Sequence, residues 1–191
     1  MRTMLIRTKA LSALIGALFF ASACLAATPL PDGSSLSLTL SQKGVQAAVT
    51  RPQARAVALE ARLKTALAGA SELFVVGQRG LDQAGHHYLV LAAAKPSTAH
   101  GGTGYCGAGT EDKLLLVEWL PSKQMLQLRD TMEIQSCLKT FELASDQGNE
   151  LKKVLGGITD PAEIQLTWLN HPQYGDSPKS VKVRNQKFQV E

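Results

Sequence analysis

The stretch from His100 to Trp119 reads HGGTGYCGAGTEDKLLLVEW, and it predicts how the rest of the chain is organised. Glycines crowd around Cys106, and backbone that is rich in glycine forms loops and close turns. This loop leads directly into the most apolar strand candidate of the chain, residues 114–120. The next cysteine is Cys137. We predict that Cys106 and Cys137 form a disulfide around which the domain packs.

The N-terminus is typical of an export signal. Arg2, Arg7 and Lys9 precede an apolar segment at 10–21, and small residues follow it. We interpret 1–26 as a signal peptide and 27–191 as a single β-rich domain. An apolar segment of about a dozen residues is too short for a stable bilayer anchor, so we expect no transmembrane span in the mature chain. Export also favours the disulfide, because two cysteines remain in an oxidising compartment.

Cys24 offers an alternative at the leader. The residues Ala21-Ser22-Ala23-Cys24 resemble the box of bacterial lipoproteins, in which the cysteine is lipidated and becomes the new N-terminus. Ala21 stands where that box usually has leucine. We therefore predict a soluble exported product, and an envelope lipoprotein anchored through Cys24 is the alternative.

Net charge does not indicate a nucleic-acid partner. The chain carries 20 Lys and Arg against 16 Asp and Glu. Loss of the three basic residues in the leader leaves 17 against 16, which is near neutrality. We expect no binding of nucleic acid on this ground.

Periodicity predicts a mainly β fold of the α+β class, an antiparallel sheet or sandwich of hairpins with one N-terminal amphipathic helix. The predicted helix covers 50–69, with Thr50 as its cap, Pro52 in the first turn and Gly69 at its end. Strands are predicted at 35–40, 73–78, 87–93, 114–120, 164–168, 181–184 and 187–190. The strands at 73–78 and 87–93 are expected to form a hairpin, and the last two strands are expected to pair around Asn185-Gln186.

The strand after the glycine loop is predicted to enter a hairpin with Pro121 and Ser122 at its turn. Leu115, Val117 and Trp119 then share one face with Leu126 and Leu128. The same register places Cys106 opposite Cys137.

Several chemistries can be set aside from the residues. Gly102, Gly104 and Gly107 spell G-x-G-x-x-G, but a strand follows them instead of the helix that a dinucleotide site requires. His86 and His87 are adjacent on a predicted strand and point to opposite faces. We predict no cofactor and no metal site. A Cys106 nucleophile is also set aside, because the disulfide occupies its sulfur, so no catalytic residue is predicted.

Two residues of the loop are candidates for binding. Tyr105 would be displayed on a loop held by the disulfide, which suits protein recognition, although it can equally pack on its own domain. Glu111, with Asp112 beside it, is the candidate acid near the loop.

The run Gly104-Tyr105-Cys106-Gly107-Ala108-Gly109-Thr110-Glu111, followed by an apolar strand and by Ser136-Cys137-Leu138, resembles a pattern in small exported proteins of Gram-negative bacteria. That group has no established activity. The resemblance therefore implies a periplasmic location and assigns no residue a role.

These observations predict an exported periplasmic protein that binds or inhibits another envelope or secreted protein and is not an enzyme. One alternative is a periplasmic hydrolase with a pocket beside the loop between Gly101 and Glu111. The other is the envelope lipoprotein anchored through Cys24.

Overall fold

The computed structural model describes residues 23–24, 27–50, 53–97, 106, 109–145 and 150–191. Strands account for 57% of these residues and helices for 10%, so the predicted mainly β class is confirmed. The strands are β1 Ala23–Cys24, β2 Thr28–Pro29, β3 Ser35–Ser41, β4 Gly44–Val49, β5 Arg55–Leu59, β6 Glu72–Gln83, β7 His86–Pro96, β8 Thr110–Leu120, β9 Met125–Ser136, β10 Glu142–Leu143, β11 Glu163–Leu166, β12 Trp168–Leu169, β13 Lys179–Arg184 and β14 Lys187–Val190. The α-helices are α1 Ala61–Leu67 and α2 Leu151–Leu155.

One nine-stranded sheet organises the described chain. Its order is β1-β3-β4-β5-β9-β8-β7-β6, and β2 also pairs with β3. Neighbours are antiparallel except β5 and β9, which are parallel. The sheet bends until β6 contacts β2 and β3, which makes it nearly closed.

Two hydrophobic cores lie on the two faces of β6 to β9. Leu89 and Leu91 point into the inner core, which α1 and the N-terminal strands enclose. Val90 and Ala92, the alternate residues of β7, point into the outer core. Because successive side chains of a strand point to opposite faces, burial of both faces explains the continuous apolar runs of β7 and β8.

The C-terminal quarter of the chain covers the outer core. It consists of the sheet β11-β13-β14, the pair β10-β12 and helix α2. Trp168 is fully buried there and its indole donates a hydrogen bond of 2.7 Å to the carbonyl of Ile134 on β9. That bond satisfies the single polar group of a large buried side chain.

The central hairpin has the predicted faces but not the predicted register. A 3₁₀ turn at Pro121–Lys123 joins β8 to β9, so Trp119 pairs with Leu126 instead of residue 124. A displacement by two residues preserves the faces, and Val117 and Leu128 remain in the inner core. Two bulges in β9 then shift the pairing further, so that Glu111 lies opposite Ser136.

The helix predicted over 50–69 is wrong in its first half. Arg55–Leu59 is strand β5, with Val57 and Leu59 buried on alternate positions, and only Ala61–Leu67 is helical. The spacing of apolar residues fits both structures. Pairing with β4 on one side and β9 on the other decides for the strand. Strand β4 itself was not predicted.

Two other hairpins are confirmed. β6 and β7 pair across the Ala84-Gly85 turn, and β13 pairs with β14 so that Val183 faces Phe188. Asn185 and Gln186 have φ of 51° and 62°, the positive values of the turn that joins strands tightly. Among the described residues, no helix has the length and apolarity to cross a membrane.

Candidate functional site

The predicted disulfide between Cys106 and Cys137 is present, with the two Cα atoms 5.6 Å apart. Gly109 lies against it, because an added Cβ would come within 2.6 Å of both the Cβ and the Sγ of Cys137. The Gly109 amide donates to the Cys106 carbonyl at 3.1 Å, and its carbonyl accepts from the Ser97 amide at 2.9 Å. Both ends of the segment 98–108 are therefore tied to the sheet.

Glu111 forms hydrogen bonds at both ends of the segment 98–108, which we call the base of the loop. Its Oε1 accepts from the Ser97 hydroxyl at 2.5 Å and the Leu138 amide at 3.1 Å, and its Oε2 accepts from the Ser136 hydroxyl at 2.5 Å. Burial alone would raise the pKa of Glu111, but these bonds together with the Cys137 amide hold it below the ordinary value. Glu111 thus holds β7, β8 and the turn after β9 together. We call Glu111 with these donors and the disulfide the Glu111 cluster.

Two other residues were predicted to have a role, Tyr105 in binding and Cys24 in lipidation. Tyr105 lies outside the described residues, as does His100. Cys24 is described in its backbone, which pairs with Thr39 of β3. The lipidation predicted for Cys24 stays a prediction.

A cavity of about 430 Å³ lies beside the Glu111 cluster. Its lining residues are Gly109, Thr110, Gln135, Ser136, Cys137, Thr140, Phe141, Glu142 and Asn170. No histidine is among them, and the partners of Glu111 are serines and backbone amides. The described residues therefore do not bring Glu111 into contact with a histidine.

His171, the histidine nearest this cavity in the chain, has a role in its own turn. Its Nδ1 accepts from the amides of Gln173 and Tyr174, at 3.1 and 3.2 Å. Its ring packs against Phe141 and Tyr174, with both pairs of centroids 4.5 Å apart. Burial lowers the pKa of His171, so at neutral pH the ring is neutral and aromatic packing holds it.

The other end of β8 carries a second carboxylate in a different environment. Glu118 is 1% exposed and forms an ion pair with the guanidinium of Arg129 through Oε2. Its Oε1 lies 2.5 Å from Nδ1 of His86. Burial, and next the charge of Glu118, raise the pKa of the neighbouring Tyr88. We call Glu118, Arg129 and His86 the Glu118 cluster.

A second cavity of about 430 Å³ opens at the Glu118 cluster. Its lining residues are Pro31, Asp32, Asp82, Gly85, His86, His87, Glu118, Trp119, Leu120 and Pro121. All of them are described residues, and most of the wall is apolar. We call it the His86 cavity.

His87 stands on the wall of the His86 cavity with its side chain 9% exposed. Its Nδ1 lies 2.8 Å from Oδ1 of Asp82, and its Nε2 is buried without a partner among the described residues. The ring packs against Gly80, where a Cβ would come within 2.4 Å of Nε2. A buried nitrogen without a hydrogen-bond partner costs free energy.

The sequence reasoning missed the Glu118 cluster. One signal was available: Glu118 is the only charge in the apolar run from Leu114 to Leu120. A buried carboxylate requires a partner, but the sequence does not show that Arg129 and His86 provide it. Within the described residues, no group of three or more His, Cys, Asp or Glu is arranged to hold a metal ion.

Comparisons with known proteins give no match to this chain. No family model matches the sequence, and no curated protein or solved structure is significantly similar to the chain.

Proposed function

We propose that the chain is an exported protein that binds another envelope or secreted protein through the segment 98–108. The observation that carries this proposal is the base of that segment. A disulfide, the Glu111 carboxylate and the bond between Ser97 and Gly109 all fix its ends. Fixing the ends of a loop lowers the entropy that it loses on binding.

The engagement of Glu111 also supports a binding role over a catalytic one. A general acid or base needs a proton that can move to or from a substrate. Both oxygens of Glu111 instead accept bonds from the protein, and the low pKa keeps the carboxylate charged.

A photo-crosslinking amino acid at position 105 tests the proposal in the organism's envelope. We expect one discrete adduct from position 105 and none from position 187, which lies in the closing hairpin of the C-terminal layer. The adduct should disappear in the Cys106→Ser/Cys137→Ser variant, since its loop is untied. The same adducts from both positions would contradict the proposal.

Export and anchoring are tested separately. N-terminal sequencing of the mature protein should begin at Ala27 if the leader is cut after Ala26. If Cys24 is lipidated instead, radioactive fatty acid will label the wild-type chain and not Cys24→Ala.

The cavity beside the Glu111 cluster favours one second candidate, a hydrolase with its pocket next to the loop. Turnover of ester or glycoside substrates that is lost in Glu142→Gln, on the cavity wall, and unchanged in Glu150→Gln would support it. Absence of turnover in the purified mature protein would exclude it for those substrates.

A further inference from the structure

We propose that the His86 cavity is a binding site for a small organic cation, an ammonium or guanidinium group attached to an apolar body. This inference is independent of the binding role proposed for the segment 98–108, because the two regions lie at opposite ends of β8. Seven residues of extended strand separate Glu111 from Glu118, roughly 23 Å.

The size and walls of the cavity suit a small ligand. About 430 Å³ falls within the range of small-molecule sites, which are mostly apolar with a few polar groups. The polar groups are surrounded by an apolar wall, which consists of Pro31, Trp119, Leu120 and Pro121. A ligand that only carried charge would leave this wall without a partner.

One histidine on the wall, His86, offers an acceptor. A carboxylate oxygen accepts hydrogen bonds, so the Nδ1 of His86 donates to Glu118 and the Nδ1 of His87 donates to Asp82. A neutral imidazole whose Nδ1 carries the proton has its lone pair on Nε2. Nε2 of His86 has no hydrogen-bond partner among the described residues and can accept from a ligand, whereas Nε2 of His87 is buried against Gly80.

Two carboxylates on the wall, Asp32 and Asp82, each have an oxygen that can accept further hydrogen bonds. Oδ1 of Asp32 accepts from the amide and hydroxyl of Ser34, at 3.0 and 2.5 Å, and Oδ1 of Asp82 is bound to His87. The second oxygen of each has no partner among the described residues. Asp32 stays charged at neutral pH, because the Ser34 hydroxyl and amide lower its pKa.

The negative charge at the cavity also favours a cationic ligand. Asp32, Asp82 and Glu118 face the cavity, and Arg129 compensates Glu118 from outside the lining. Two carboxylates therefore remain for a ligand. A group with several N–H donors and a positive charge fits a wall of acceptors, whereas an anion or a plain acceptor does not.

Calorimetric titration of the mature protein with benzylammonium tests this, and benzyl alcohol is the neutral control of the same shape. We expect benzylammonium to bind about tenfold more tightly than benzyl alcohol. Asp82→Asn and Asp32→Asn should each weaken it about threefold, the effect of one exposed charge pair. Glu150→Gln, a matched loss of an exposed charge at the N-cap of α2, should leave it unchanged.

Fluorescence locates the bound cation. Trp119 lines the cavity and Trp168 lies in the outer core, so the change in emission should be lost in Trp119→Phe and kept in Trp168→Phe. Equal binding of the alcohol and the ammonium, or equal affinity of Asp82→Asn and wild type, would overturn the proposal. N-acetyl-lysine methylamide distinguishes the source. If it binds more than about tenfold tighter than benzylammonium, the site takes a protein side chain and the small-ligand assignment is wrong.

Discussion

Glu111 and Glu118 stand on one strand, and the chain holds them in opposite ways. Glu111 is surrounded by neutral donors, two serine hydroxyls and backbone amides, beside a disulfide. Glu118 is more deeply buried and is held by a cation and a histidine at the edge of a cavity. Neutral donors hold a carboxylate in place and do not themselves ionise, which suits a structural role. Ionisable partners leave proton and charge chemistry available, which suits a site.

The largest effect should come from the Glu111 end, through its disulfide. We expect Cys106→Ser/Cys137→Ser to lower the free energy of unfolding by about 4 kcal/mol, because the cross-link closes a long loop in the unfolded chain. The sequence separation of the two cysteines is 31 residues. Urea unfolding of the variant and of wild type measures this, and wild type treated with a reductant should match the variant. A loss below about 1 kcal/mol would show that this end does not depend on its cross-link.

The Glu118 end should be nearly as sensitive to loss of its cation. Arg129→Met leaves a buried carboxylate without its ion-pair partner, and we expect a loss of about 3 kcal/mol. Glu118→Met added to Arg129→Met removes the uncompensated charge and should restore most of the loss. A double variant as unstable as the single one would mean that Arg129 acts through packing and not through Glu118.

Sequence reasoning predicted the features that depend on neighbours along the chain. The turn at Asn185-Gln186 and the alternation in β8 are local patterns, and the structure has both. The disulfide was predicted from the expected export of the chain and from the number of cysteines. Each of these is decided by residues that are close in sequence or by elimination.

What the sequence did not predict depends on distant partners. Residues 55–59 have a spacing that fits helix and strand alike, and pairing with Met125 and Leu126 of β9 decides between them. The sequence also did not predict that the C-terminal strands form a layer over the outer core. Strands β10 and β14 contact β9 through the folding of the chain, and no local pattern indicates this contact. Glu118 meets Arg129 and His86 across two different strand pairs, and no spacing in the sequence encodes both.

Asp112 adjoins Glu111 and is buried like Glu118, but no cation pairs with it among the described residues. Burial raises the pKa of Asp112 to about 6, and its Oδ1 has no partner among the described residues. A raised carboxyl pKa means that the folded state favours the neutral form, so stability falls as pH rises from about 4 to about 6. We expect Asp112→Asn to be about 2 kcal/mol more stable than wild type at pH 8.

The measurement is urea unfolding of Asp112→Asn and wild type at pH 4 and pH 8. The gain should be present at pH 8 and absent at pH 4. Asp160→Asn is the matched control and should show no such difference, because Asp160 is exposed and accepts a hydrogen bond from the Ala162 amide. A gain of equal size at both pH values would mean that charge is not its cause.

The smallest effect on stability is expected from substitution of Glu111, and it tests whether this residue has a structural role. The stability that Glu111 contributes changes with pH in the direction opposite to that of Asp112. A lowered carboxyl pKa adds stability above the unfolded value of about 4.5, and this stability is lost as pH falls through the folded pKa. Glu111→Gln keeps the shape of the side chain, but its amide NH₂ is a donor where the Ser136 hydroxyl needs an acceptor. We therefore expect the free energy of unfolding to fall by about 1.5 kcal/mol at pH 7. The loss should be smaller at pH 3 than at pH 7, because lowering the pH removes the stability that the charged carboxylate contributes. Glu142→Gln, an exposed glutamate on nearby β10, should change stability at neither pH. If Glu111→Gln instead leaves stability intact at pH 7, the hydrogen bonds of the cluster do not hold the loop base, and Glu111 is free for the chemistry that its partners otherwise prevent.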